Sequence, residues 1–447
     1  MADIAAAPRH SWLDTAKVYA KPLMLAMLVL GFASGLPLYM VYTKMSYWLR
    51  DAGIERSTIG FFYWVTLAYT LKFLWAPVVD RLRIPGLTAA LGQRRSWMVT
   101  AIAGTVIGLL FISRADPAVS LIPVLIGAVF LAYSGATLDI SIDAWRIESA
   151  SNEMQANMAA AYSLGYRGAY LFAAFGLAIA EWTNWHVSFT VMALAMVICA
   201  GLVLVMPEPH HAARRVQEAR SFAARVATSV IDPFRQVLGR LGVWIVPVLV
   251  LVAIYRISDF TMGVMTSPLY SDMGFSKTFI GFVQGGPGLA GTIFGLFLGG
   301  VATYRFGLMR AMIIGAVITL FTTATYAWLA GAGDADDLWF LGFALVGDNV
   351  AGGFVTTVFI AYLSSLTDPA NAATQYALFS SFYALFNKLS AGFSGLLADL
   401  LGYVDFFLLT AAFTIPATAL LLFIYWKGPP AARGLSKYDD PEEAAPA

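Results

Sequence analysis

Charge and cysteine are what this chain has least of. Only 12% of its residues are charged, whereas a soluble domain carries about 25%, so a water-facing globular fold is excluded. One cysteine, Cys199, excludes an internal disulfide framework, and the fold must be held by packing. Histidine is nearly missing from the apolar runs: His10, His210 and His211 lie in polar segments, and His186 stands at the end of a run. There is no HExxH helix and no glycine-rich phosphate loop. Nothing calls for a metal or an organic cofactor. A formal net charge of +1 singles out no partner, and no nucleic-acid contact is expected.

What is present is hydrocarbon-like sequence. Hydrophobic residues make up 59% of the chain, and the mean hydropathy is +0.71. Segments of roughly 20 residues, long enough to cross about 30 Å of hydrocarbon, occur at 22–43, 58–79, 97–113, 118–144, 157–180, 186–206, 243–268, 278–302, 308–330, 338–364, 373–398 and 403–426. The fold expected is an all-α integral membrane protein with twelve transmembrane helices. Arg9, Lys17 and Lys21 precede a first run longer than a signal-peptide core, which reads as an uncleaved span. Lys and Arg concentrate in the connections on the side of the termini, including Arg81, Arg83, Arg94 and Arg95. The other side holds Lys44, Arg50, Arg56, Arg114 and Lys277. The positive-inside bias therefore places both termini in the cytoplasm.

The chain repeats itself. Asp51-Ala-Gly-Ile-Glu-Arg-Ser-Thr-Ile-Gly-Phe61 aligns with Asp272-Met-Gly-Phe-Ser-Lys-Thr-Phe-Ile-Gly-Phe282 at Asp, Gly, Ile, Gly and Phe, with Arg56 against Lys277. A weaker echo sets Asn157, Ala159, Tyr162 and Leu164 against Asn371, Ala373, Tyr376 and Leu378. The division expected is an N-terminal six-helix bundle at 1–206, a cytoplasmic linker at 207–242, a parallel second bundle at 243–427 and a cytoplasmic tail at 428–447. Two such bundles around a midplane site are the arrangement of the major facilitator superfamily. Gly31, Gly35 and Pro37 in the first span, and Gly285 to Gly288 in the eighth, either bend those helices or allow close packing.

Ionisable residues inside spans are the functional suspects, because a charge at the bilayer centre costs a few kcal/mol even on a lenient scale. Arg167, Arg256, Asp259, Asp348 and Lys388 fall near mid-depth, and Lys72, Asp139 and Asp143 nearer the cytoplasmic end. A hydrated central cavity is the simplest way to accommodate them. Arg167 and Lys388 lack a charged neighbour at helical spacing and suit an anionic substrate, with Arg256 beside them. Arg256 and Asp259 also have the spacing to neutralise each other. Tyr39, Tyr166 and Tyr255 are candidates to stack on sugar rings. Proton coupling needs a carboxylate that burial and a nearby cation can tune; Asp348 fits best, with Asp139 and Asp259 behind it. Asp80, Arg81, Asp143 and Arg146 read as a cytoplasmic gate, an ion-pair network that opens and closes with the halves.

Gly135-x-x-x-Asp139-x-x-x-Asp143 also matches the second half of the signature of membrane CDP-alcohol phosphotransferases, which are enzymes. The first half should occupy 121–126, where the sequence is Leu-Ile-Pro-Val-Leu-Ile. No second aspartate-rich cluster is present either, so an enzyme is not expected. A membrane sensor is the other class, and midplane charges in both halves argue against it.

Several stretches together resemble the AmpG-type muropeptide permeases, in the peptide and acetyl-coenzyme A transporter branch of the same superfamily. They are Ala136 to Glu148, Gly31-Phe-Ala-Ser-Gly-Leu-Pro37, Leu71 to Arg81, Gly92-Gln-Arg-Arg-Ser-Trp97, Tyr255-Arg-Ile-Ser-Asp259, and Ala361 to Thr367 followed by Ala373-Thr-Gln-Tyr376. Leu138 stands where the family pattern has Gln. The resemblance implies proton-driven import of anhydromuropeptides, anionic disaccharide-peptides of cell-wall turnover, by a monomer in the bacterial inner membrane. Siderophore and acyl-coenzyme A permeases share much of the pattern and are the alternatives.

Overall fold

A computed structural model of the chain describes residues 21–149, 152–209, 232–334, 337–367 and 372–434. Most of the expected linker at 207–242 and of the tail at 428–447 lies outside these residues. Among the described residues the regular structure is all helical, and it forms twelve membrane-spanning stretches. The first six are α1 (Pro22–Asp51), α2 (56–81), α3 (Gln93–Arg114), α4 (Leu121–Ser149), α5 (Asn152–Trp182) and α6 (Trp185–Val205). The second six are α7 (Val237–Asp272), α8 (Lys277–Phe306), α9 (Leu308–Ala332), α10 (Leu338–Ser365), α11 (372–401) and α12 (403–427). Gly402, at φ 76°, breaks the helix between the last two, a conformation that glycine adopts without a Cβ penalty.

Nine helical stretches among the described residues are long and apolar enough to cross a bilayer by length and composition alone. The stretches outside that set are α2, α5 and α11. Short 3₁₀ turns at Tyr63–Thr66 and Lys72–Leu74 divide α2. The other two carry polar faces, with Arg167 on α5 and Asn387 and Lys388 on α11. These three spans meet the opposite half: α5 packs on α8, and α2 on the end of α11. The outward faces are apolar, with Phe111, Ile122, Ile198, Phe297, Phe321 and Ile415 exposed, as hydrocarbon solvent allows.

Close helix packing is built on missing side chains. A Cβ on Gly31 would stand 2.0 Å from the Tyr162 carbonyl oxygen, and one on Gly165 would stand 1.8 Å from that of Leu28. The α1 and α5 backbones can touch only because both positions are glycine. Gly31 therefore serves packing, while the departure from α-geometry in α1 comes after Pro37, in a π-helical turn at Met40–Lys44. The other glycine-proline run departs from α-geometry within itself: Gln284–Gly288 in α8 is a second π turn.

α1 extends beyond its expected end. Hydropathy ends that span at residue 43 and puts Lys44 in a loop, but the helix runs on to Asp51 and Lys44 is only 3% exposed. The polar residues of this extension are absorbed by the opposite half. Lys44 donates to Gln284 and Arg50 to Asp272, so low hydropathy here marks a contact between bundles, not an exit from the bilayer.

Candidate functional site

With twelve spans, the start of α1 and the end of α12 share one end of the molecule, and the α1–α2, α7–α8 and α11–α12 turns lie at the far end. The bonds joining the halves cluster toward that far end. Lys277 Nζ stands 2.7 Å from Asp51 Oδ2, and Arg56 Nε stands 3.9 Å from Asp272 Oδ2 and 3.5 Å from Asp399 Oδ1. Thr278 N donates to Glu181 at 2.6 Å, Ser57 N to Asp399 at 2.8 Å, and Tyr47 Oη to the Phe275 carbonyl at 3.2 Å. The backbones close up as well: a Cβ on Gly395 would lie 1.7 Å from the Arg56 carbonyl oxygen.

Behind this seal lies a cavity of about 380 Å³ between the halves. Tyr42, Thr43, Arg167 and Tyr170 line it from the first bundle; Arg256, Asp259, Gln284, Asp348 and Asn349 line it from the second. Arg256 Nε pairs with Asp259 Oδ2 at 3.0 Å, and its Nη1 lies 3.4 Å from Tyr383 Oη. Asn349 is fixed by Thr292 Oγ1 at 2.9 Å and by the Leu345 carbonyl at 2.8 Å. Arg167 and Asp348 differ from these. Neither makes a hydrogen bond or ion pair with a described residue, and both are partly exposed to the cavity. A guanidinium and a carboxylate without such partners are costly in a membrane interior.

Arg167 also lines an adjoining hollow of about 310 Å³ with Tyr39, Tyr162, Ser163 and Tyr166. Tyr39 meets Tyr166 and Tyr170 edge to face, with ring centroids at 5.3 and 5.1 Å. Edge-to-face contacts of this kind contribute about 0.5–1.5 kcal/mol each beyond burial. A larger hollow of about 650 Å³ opens at the α3–α4 turn, but its walls include Ile107, Phe111 and Val119, on the face that meets lipid.

The remaining sequence candidates lie apart from the central cavity. Tyr255 is 4% exposed, donates to the Met312 carbonyl at 2.9 Å and stacks on Phe359. Lys388 Nζ donates across the halves to the Thr66 carbonyl at 2.9 Å. Asp139 accepts from Ser34 Oγ at 2.5 Å and stands 3.5 Å from Lys72 Nζ, while Ser34 in turn reaches Tyr162 Oη at 2.6 Å. Among the described gate candidates, Asp80 and Asp143 pair with different cations. Asp80 goes to Arg94 at 2.7 Å, whose other arm takes Glu148 at 2.6 Å, whereas Asp143 stands 3.7 Å from both Lys72 and Arg146. The Arg81 side chain lies outside the described residues. Gln284, Asn349 and Thr43 carry neither a charge nor a ring, so a reading that rests on charge in hydrocarbon and on aromatics passes over them. A mid-span Asn beside Asp348 was the available signal.

Two helical bundles facing one another across a polar cavity, sealed at one end, define a membrane transporter and not an enzyme. A family profile described as the Major Facilitator Superfamily matches residues 23–387 and 248–446. The chain is 31% identical to the anhydromuropeptide permease of Escherichia coli K12 over 410 residues, covering 91% of this chain and 80% of that one. It is 29% identical to the transporter AmpG 4 of Rickettsia conorii, covering 92% and 98% of the two chains. Among solved structures, the nucleoside transporter NupG superposes with a TM-score of 0.67 at 13% identity, covering 90% of this chain and 99% of that one. A D-xylose-proton symporter superposes at 0.65 with 14% identity, covering 95% and 100%. The chain belongs to the Major Facilitator Superfamily and, within it, to the AmpG-type muropeptide permeases.

Proposed function

We propose that this permease imports anhydromuropeptides across the bacterial inner membrane by proton symport, alternating access between its two bundles, with both termini in the cytoplasm. The observation that carries this reading is the pairing, in one cavity, of an open guanidinium from the first half with an open carboxylate from the second, Arg167 with Asp348. An anionic peptide needs the first, and a coupled proton needs the second.

The roles follow from chemistry. Arg167 receives a substrate carboxylate in bidentate, charge-assisted hydrogen bonds. The tyrosines beside it, Tyr39 and Tyr166, offer flat apolar faces to sugar rings. Arg256, already paired with Asp259, sets the field around Asp348. When Asp348 takes a proton, the cavity loses a negative charge that would repel the substrate. When it releases the proton on the other side, the repulsion returns and favours exit. Rocking of 1–206 against 243–427, with 207–242 as the linker, exposes the cavity to each side in turn. Lys44 belongs inside the span and not in a loop, which sharpens the excess of Lys and Arg on the termini side and supports the cytoplasmic orientation.

The test is uptake of labelled disaccharide-peptide by cells that lack their own permease and express this one. Accumulation that collapses with the proton gradient supports the reading. Failure to accumulate the glycopeptide, alongside growth on a siderophore as sole iron source, overturns the substrate.

A further inference from the structure

Lys44 is a buried cation to which symport as just described gives no task. It closes the π turn Met40–Lys44 of α1, and its hydrogen bond among the described residues runs 2.9 Å to Gln284 Oε1. Gln284 opens the other π turn, Gln284–Gly288 of α8, and lines the central cavity with Arg167 and Asp348. Thr43, the residue before Lys44, lines the same cavity. An ammonium at 3% exposure with one neutral acceptor is an expensive arrangement, because a single amide oxygen returns little of what desolvation takes. π turns give up regular helical bonding and recur at functional sites. Here two of them, one from each half, are joined by that single bond.

The bond spans the two bundles on the side of the cavity nearest the seal. Parting the halves at the far end would break it and leave the ammonium beside the cavity. We infer that Lys44 is a state-dependent binding residue. With the far end open it takes a carboxylate of the substrate, and as the halves close Gln284 takes it back. This inference rests on the anionic substrate of the proposed function. The hand-over gives the carrier higher affinity on the loading side than on the release side, which an importer needs and which a fixed cation such as Arg167 cannot supply. Only a difference in affinity between two states lets a ligand drive a change between them.

The experiment measures half-saturation separately on each face of the reconstituted protein, for a muropeptide and for its carboxamide form. Lys44→Met is expected to raise the outer half-saturation for the carboxylate substrate about tenfold, the worth of one hydrogen bond to a charged group. The inner value and the carboxamide are expected not to move. A shift of equal size on both faces, or none on either, overturns the inference. A second arm needs no substrate. Gly263 lines the cavity and has nothing within 4 Å of an added Cβ, so Gly263→Cys with Cys199→Ser reports access of an impermeant maleimide from outside. Adding Lys44→Met or Gln284→Leu is expected to raise that labelling rate several-fold, and unchanged rates overturn the hand-over. If wild-type protein carries no glycopeptide, the substrate reading fails, while the labelling arm still decides whether Lys44 and Gln284 hold the halves together.

Discussion

Lys277 Nζ stands 2.7 Å from the Asp51 carboxylate, and the two residues occupy unlike positions of the same repeated motif. The acid of the first repeat holds the base of the second; in return the acid of the second, Asp272, faces Arg56, the base of the first, at 3.9 Å. An aromatic completes each clasp. Trp185 donates to Asp51 and Tyr403 to Asp272, both at 2.7 Å, and Lys277 and Arg56 lie 5.4 and 4.3 Å from the centroids of those same rings. The seal is thus a twofold copy of one device, built by duplication and closed by exchange between the copies.

Charge reversal tests the clasp. Asp51→Lys sets two cations against each other and is expected to lower uptake at least tenfold, while Asp51→Lys with Lys277→Asp recovers most of it. The check is uptake in whole cells at matched expression. Removing one partner by Lys277→Met is milder, because a part-exposed pair contributes about 1 kcal/mol or less.

Arg167 carries the anion-binding claim. Arg167→Ala is expected to weaken glycopeptide binding by about 2 kcal/mol, roughly thirtyfold, and Arg167→Lys to recover part of it, since a lysine keeps the charge and loses the planar fork. Calorimetric titration of the purified protein measures both. Equal affinity in Arg167→Ala would remove this residue from the site.

The α1–α5 contact predicts a stability effect separate from transport. Gly31→Val and Gly165→Val each place carbon within about 2 Å of a facing carbonyl, which forces the helices apart, at a cost of about 1–3 kcal/mol or more. Thermal unfolding in detergent is expected to shift downward for both. No such shift is expected for Gly201→Ala, which has open space around it.

Much of the fold was legible because a bilayer demands apolar runs of fixed length, and the twelve runs in the sequence recur as helices. The repeat was legible too, but the exchange across it was not: matching Asp51 with Asp272 shows that the halves correspond, not that each acid binds the other half's base. Arg167 and Asp348 stood out because charge in hydrocarbon is costly. Lys44 did not, since hydropathy reads a helix that goes on by docking against its twin bundle as a helix that has ended. Tyr255 and Lys388 are at the right depth, but depth does not give rotation about the helix axis, and packing turned Tyr255 onto Phe359 and Lys388 onto the Thr66 carbonyl.

Proton coupling through Asp348 is decided most directly by accumulation of labelled disaccharide-peptide in oriented vesicles, with and without an imposed gradient that is alkaline inside. Wild-type protein is expected to concentrate the substrate only under the gradient. Asp348→Asn is expected to exchange substrate across the membrane at a comparable rate yet never concentrate it. Gradient-driven accumulation by Asp348→Asn equal to wild type would contradict the coupling role.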